Sequence, residues 1–298
     1  MSDVLAASRE AMEAGSKSFA TATRLFDADT RASARLLYAW CRHCDDVVDG
    51  QVLGHAAAVE ASAFDPAGPA DRLDRLYDLT RRALAGEPVD DAPFAALQWV
   101  ARRHGLAPAH ALALLDGFAM DVHGAPFRTL PDTLRYCYHV AGVVGLMMAQ
   151  VMGVRDEATL DRACDLGLAF QLTNIARDVG EDARAGRVYL PDQWLAESGL
   201  DRAAVLAAPD AAAVRALRAR LVAAAEPYYA SAHAGVASLP FRSAWAVAAA
   251  RAIYRDIGLG VQAGEAGRVV VGPSRKAARI VAAAFSAVAC RALASRPG

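Results

Sequence analysis

The chain almost never strings β-branched residues together, and this limits its fold more than any other feature. Val269–Val271 is the one tight run outside helically spaced stretches, and it is too short to build a sheet on. Ala, Leu, Arg and Glu dominate instead, and these residues favour helix. Gly and Pro punctuate them. Gly86-Glu87-Pro88, Gly105–Pro108, Gly124-Ala125-Pro126, Pro131, Gly153, Gly186, Pro191, Pro209, Pro227 and Pro240 mark expected helix boundaries. Residues 50–70 read as a loop, and 258–273 as a Gly-rich loop before a last basic helix over about 274–294. No internal repeat or low-complexity linker divides the 298 residues. The expected architecture is all-α, a single domain over 1–298 with room for a sizeable core.

Composition removes several function classes. Net charge is -1 and the arginines are scattered, so no nucleic-acid partner is expected. The N-terminus lacks a basic segment followed by an apolar one, which argues against a signal peptide. The greasiest stretches, Val140–Gln150 and Ile280–Cys290, are about half the ~20 residues that span a bilayer. Five cysteines, an odd number in a chain this long, fit a reducing cytoplasm better than a disulfide framework. Cys41-x-x-Cys44 has no second CxxC pair to complete a zinc site and no βαβ context for redox work. A cytoplasmic protein is expected, soluble or resting on a membrane surface. The last helix sets Arg275, Lys276, Arg279 and Arg291 around an apolar body, which suggests docking on the core or weak peripheral contact with an anionic membrane.

The charge is concentrated in two places. On a helix over 168–184, Gln171, Asn174, Asp178 and Asp182 fall at relative positions 0, 3, 7 and 11. At ~100° per residue these lie within roughly 80° of one another. Leu168, Leu172, Ile175 and Val179 lie beside them, so the polar stripe borders the buried face. Upstream, Tyr38, Arg42, Asp45 and Asp49 repeat the pattern at 0, 4, 7 and 11, with Asp46 just off the stripe. Two solvated acidic faces would be the bland reading. Against it, Asp–Asp at i,i+4 repels unless a cation sits between, and Glu would serve a wet face better. Carboxylates from two facing helices make a hard-oxygen cluster suited to Mg²⁺ or Mn²⁺, not zinc. Arg42, Arg177 and Arg187 then read as diphosphate clamps. A greasy cavity with such a mouth fits a prenyl diphosphate: loss of diphosphate leaves an allylic cation that apolar walls shield from water.

Several stretches together resemble the squalene/phytoene synthase family, and within it the bacterial phytoene-forming branch. They are GSKSFATATRLF (15–26), LLYAWCRHCDDVVDGQ (36–51), YCYHVAGVVGLMMAQVMG (136–153), AFQLTNIARDVGEDARAGRVYLP (169–191) and, more weakly, AIYRDIG (252–258). The resemblance implies an isoprenoid-synthase helical bundle around a central apolar cavity. It also implies head-to-head condensation of two geranylgeranyl diphosphates through prephytoene diphosphate to phytoene, without NADPH. Under it Asp45, Asp49, Asp178 and Asp182 would bind the metal ions, and Arg42 and Arg177 would hold diphosphate oxygens. Ser16, Lys17 and Ser18 would contribute near one diphosphate. Tyr38, Phe19, Tyr136, Val140, Gln171 and Asn174 would line the prenyl pocket. Arg187, Tyr189 and Tyr254 would close the site, and Arg268 is a candidate further diphosphate ligand.

Two departures stand out: Gly50 occupies a position where relatives often carry an acid, and the 258–268 loop is shorter than in many of them. Gly142 and Gly145 imply close approach, to another helix or to substrate. His43 and His139 read as packing or surface residues. A squalene-like synthase making C30 products from farnesyl diphosphate keeps the metal site and differs in pocket depth, which Met147, Met148, Leu168 and Phe170 would set. A helical scaffold without catalysis would need no matched aspartate stripes.

Overall fold

Helix starts follow capping chemistry written in the sequence. The computed structural model describes residues 17–50, 68–264 and 269–294, with side chains over 20–50, 68–264 and 269–290. A short α1 (Lys17–Thr23) precedes α2 (Ala28–Asp49). Asp27 caps α2 by accepting from the Thr30 backbone N–H at 2.9 Å and the Thr30 hydroxyl at 2.7 Å. Gly50 ends it at φ 64°, a left-handed position that glycine adopts without strain. Then come α3 (Pro69–Ala85), α4 (Ala92–His104) and α5 (Pro108–Val122). α6 (Leu130–Cys137) passes through one π-helical turn, Tyr138–Gly142, into α7 (Val143–Val151). The long α8 (Glu157–Arg184) begins where Asp156 accepts from the Thr159 N–H at 2.8 Å. The short α9 (Asp192–Glu197) and α10 (Arg202–Ala207) lead to α11 (Ala212–Gly235), α12 (Phe241–Gln262) and α13 (Pro273–Ala294). No strand occurs among the described residues.

Two cores hold the bundle. One gathers α2 to α5 and α7 around Leu36, Leu37, Trp40, Phe94, Leu97, Leu115 and Met147. The other gathers α6, α8, α11 and α12 around Leu172, Ile175, Leu221, Tyr229 and Ile253. Each such side chain contributes about 1.5–3 kcal/mol on full burial. A third patch, rich in alanine, seats α13 on α12 through Ala249, Ala283 and Ala287.

The glycine question resolves toward packing. A Cβ on Gly145 would stand 2.3 Å from the Ala163 carbonyl oxygen, and one on Gly142 3.0 Å from Cys164 Sγ. Both glycines therefore let α7 and the π-turn lie close on α8.

Two expected boundaries are corrected. The expected loop from 258 starts as helix, because α12 runs on to Gln262 with Gly258 and Gly260 buried inside it. Pro227 lies within α11 instead of ending it. Ala225 and Tyr229, buried on either side, show that tertiary packing overrides the local breaker there. The residues expected to set pocket depth also divide: Met147 and Met148 belong to the first core, while Leu168 and Phe170 pack half-buried against the second.

Candidate active site

Both aspartate stripes end a helix. Asp45, Asp46 and Asp49 occupy the last turns of α2, and Asp178, Glu181 and Asp182 those of α8. A helix C-terminus carries partial negative charge, so acids there are disfavoured by about 0.3–1 kcal/mol each. Both sites therefore call for cations, and arginines supply some of that charge. Arg42 reaches Asp45 at 3.0 Å and Asp46 at 2.5 Å. Arg177 bonds its neighbour Asp178. Arg187, just past α8, donates to both carboxylate oxygens of Asp49 at 2.5 and 3.2 Å. That bridge spans 138 residues and ties one stripe to the other.

Asp182 is the exception. Among the described residues its carboxylate takes no side-chain hydrogen bond or ion pair. Burial first, then Asp178, pushes it up to about 7, with Asp121 adding to the rise and Arg187 opposing it. The Asp45 side chain keeps 38% of its surface at the mouth. Even so, the protein packed around it pushes its carboxyl up to about 6, with Asp49 and Asp46 adding to this and Arg42 opposing.

The structure adds a residue that the sequence stripes do not contain. Asp121, near the end of α5, accepts from the Tyr136 hydroxyl at 2.9 Å and the Tyr189 hydroxyl at 3.0 Å. The two rings stack at 4.8 Å, and Phe127 meets both edge-on. Asp121 is raised above the ordinary carboxylate range, by burial first, and it senses both Arg187 and Asp49. One sequence signal could have found it: an acid set in the apolar helix ALALLDGFAMDV.

The other expected residues fall around this centre. Tyr38 is pushed up to about 12 by burial, and it senses Arg42 and Tyr254. Tyr254 stacks on Phe170 at 4.1 Å. Gln171 accepts from Asn174 at 3.3 Å. Val140, in the π-turn, packs on Gly117. Ser16 and Arg268 lie outside the described residues, as do the side chains of Lys17, Ser18 and Phe19. His43 meets Phe94 edge-on at 5.7 Å, and His139 Nδ1 is 2.9 Å from the Ala113 carbonyl oxygen. Both engage in packing. Cys41 and Cys44 are free thiols, and burial pushes Cys41 up to about 12.

The donor set suits a hard divalent cation. The four stripe aspartates offer carboxylate oxygens, Asp182 has Arg187 only at a distance to offset its charge, and the Asn174 Oδ1 is buried with no partner. Among the described residues, no three His, Cys, Asp or Glu side chains converge to hold an ion alone. Mg²⁺ is usually held by one or two carboxylates together with substrate phosphates.

Comparison with known proteins agrees with this geometry. A family model described as squalene/phytoene synthase matches residues 12–280. A 15-cis-phytoene synthase of Pantoea ananas is 59% identical over 257 residues, covering 86% of this chain and 82% of that protein. Another, of Enterobacter agglomerans, is 56% identical over 284 residues, covering 94% and 95%. Among solved structures, a dehydrosqualene synthase in complex with ligand aligns over 97% of this chain and 98% of its own, at TM-score 0.82 and 26% identity. A squalene synthase of Alicyclobacillus acidocaldarius, at TM-score 0.75 and 22% identity over 90% and 96%, shares the fold.

Proposed function

The chain belongs to the squalene/phytoene synthase family, and on that premise we propose that it condenses two geranylgeranyl diphosphates head to head into phytoene, for carotenoid biosynthesis. It is a prenyltransferase of a divalent-metal-dependent kind. The observation that carries the reading is the identity above 55% to 15-cis-phytoene synthases across most of the chain. The two bridged aspartate stripes are the chemistry such a reaction needs.

Asp45, Asp49, Asp178 and Asp182 would hold Mg²⁺ or Mn²⁺. When bound, the ions neutralise the diphosphate and make it a better leaving group. Arg42 and Arg177 would give up aspartate contacts to hold diphosphate oxygens, and Arg187 would leave Asp49 to close the site over them. Phe170, Tyr254, Val140 and Tyr38 keep water from the allylic cation, so that the double bond of the second prenyl chain captures it and loss of a proton to the released diphosphate closes the cyclopropane of prephytoene diphosphate. Diphosphate loss from that intermediate, rearrangement and proton loss give phytoene with no hydride donor, so NADPH has no part.

The lipid character of substrate and product agrees with weak membrane contact through α13. Arg275 and Arg279 turn inward to Asp256 instead of outward, and the outer stripe is apolar: Val281, Phe285 and Val288 are 60%, 73% and 55% exposed. The helix carries no acid, and no described helix is long and apolar enough to cross a membrane. Phe285→Asp should abolish co-sedimentation with anionic liposomes; a wild-type chain that never co-sediments refutes the contact.

The test of function is incubation with geranylgeranyl diphosphate and Mg²⁺, without NADPH, followed by mass analysis of the extracted lipid. A C40 hydrocarbon that EDTA abolishes is expected. A C30 product from farnesyl diphosphate alone would move the protein to the squalene-like branch.

A further inference from the structure

We propose that Asp121 is a positioning residue that turns Tyr136 and Tyr189 into acceptor-only groups facing the cationic reaction. This inference rests on the prenyl-transfer reading above.

A phenol has one proton to donate. Tyr136 and Tyr189 both spend theirs on the same carboxylate, at 2.9 and 3.0 Å. Toward any third group, each phenol oxygen can then only accept. Donation to an anion also raises the electron density on that oxygen. Such a pair suits a developing carbocation and gives nothing to a diphosphate oxygen. The two phenols are 6% and 7% exposed, so they stand in a dry setting where this polarity counts.

The arrangement is assembled from three distant stretches and braced from each side. Tyr136 comes from α6, and Tyr189 from the chain between α8 and α9. Thr133 donates to the Tyr189 carbonyl at 3.0 Å, fixing that segment against α6. Phe127 meets the rings at 5.5 and 5.3 Å. Tyr189 follows Arg187 by two residues, and Arg187 donates to Asp49 at 3.2 Å, so the tyrosine pair borders the acidic mouth. A buried carboxylate that served packing alone would need only its donors. Here the donors are Tyr136 and Tyr189, and the second of them lies two residues past Arg187, which bridges to Asp49 at the mouth.

Asp121→Asn keeps the shape and reverses half of the polarity. The amide oxygen accepts from one phenol while the amide N–H donates to the other, freeing that phenol's proton. We expect kcat for C40 product to fall about 10²-fold, the typical loss for one preorganised polar contact. KM should stay within about threefold, because the lost interaction belongs to the transition state. Phenolate absorbance should show tyrosine ionising at lower pH than in the wild type. Placed on a Tyr136→Phe/Tyr189→Phe background, Asp121→Asn should cost nothing further, since the residue acts through the phenols.

Wild-type kcat in Asp121→Asn, or its full loss repeated on the phenylalanine background, would overturn the proposal. If Asp121→Asn fails to fold, single Tyr136→Phe and Tyr189→Phe variants decide: both at wild-type kcat overturns it, and a kcat loss at constant KM supports it. Absence of C40 product from the wild type would instead refute the functional reading, and the phenolate titration would still test the polarity of the pair.

Discussion

Removing the charge of Asp182 should stabilise the metal-free protein. Its carboxyl stands at about 7 in the fold against 3.8 ordinarily, a rise driven by burial and by Asp178. Each unit is about 1.4 kcal/mol, so the rise corresponds to at most about 4 kcal/mol. Local relaxation of the site reduces this to about 2 kcal/mol. The folded-state value lies above the unfolded one, so stability tied to this group is whole below about pH 4 and is lost as pH climbs through about 7. Asp182→Asn does not titrate and escapes that loss. In EDTA at pH 8 the variant should melt about 4–8 °C above the wild type, at ~2–4 °C per kcal/mol for a large domain. The gap should shrink to a fraction near pH 4. Excess Mg²⁺ should reverse it, since an ion at 100 times its Kd adds about 2.7 kcal/mol to whichever form binds it. Scanning calorimetry at several pH values, with and without metal, reads all of this. A variant less stable than the wild type in EDTA at pH 8, or a gap that does not change with pH, would refute the electrostatic account of the stripe.

Three further outcomes follow from the geometry. Arg187→Gln removes the bridge to Asp49; because the arginine side chain is 36% exposed, the metal-free loss should be only about 1 kcal/mol, read as a lower Tm at pH 8 in EDTA. Gly145→Ala places a Cβ 2.3 Å from the Ala163 carbonyl oxygen, so α7 and α8 must part, and the urea midpoint should fall by the equivalent of about 1–3 kcal/mol. At Asp256 burial works to raise the carboxyl, but hydrogen bonds from Arg279 and Arg275 overcome it and hold it below its ordinary value. Asp256→Asn should therefore loosen α13 and expose residues 273–294 to limited proteolysis; a cleavage pattern identical to the wild type would show that the alanine contacts alone seat the helix.

What the sequence makes legible is whatever repeats along one helix. Asp45 with Asp49, and Asp178 with Asp182, are a turn apart, so a period of ~3.6 places each pair on one stripe with no knowledge of the fold. The helix period also puts Gln171 and Asn174 beside the core. Partners chosen across the fold leave no such trace. Arg187 reads as a diphosphate clamp, yet its partner in the fold is Asp49, 138 positions away. Asp121 joins tyrosines 15 and 68 positions away, and only its oddity in an apolar helix hints at it. Local breakers mislead for a related reason. Pro227, Gly258 and Gly260 oppose helix by propensity, but burial of α11 and α12 on both sides of these residues outweighs about 1–3 kcal/mol of local cost.

The placement of the arginines explains how so acidic a mouth folds before any cation arrives. Arg42 and Arg177 each serve carboxylates of their own helix, and such pairs form as soon as the helix does. Among the described residues it is Arg187 that crosses between the stripes, so it can engage Asp49 only once α2 and α8 are in place. Compensation is therefore partial within each helix: Asp45, Asp46 and Asp178 have an arginine of their own helix, Asp49 waits for Arg187, and Asp182 is left, among the described residues, without a direct partner, with its carboxyl pushed up to about 7 and its demand for positive charge unmet. A guanidinium cannot meet that demand without abandoning Asp49, whereas a compact divalent ion carried in with diphosphate can. The electrostatic strain that lowers metal-free stability is thus the same quantity that favours loading, and a mouth relaxed by Asp182→Asn should gain stability and lose cation affinity together.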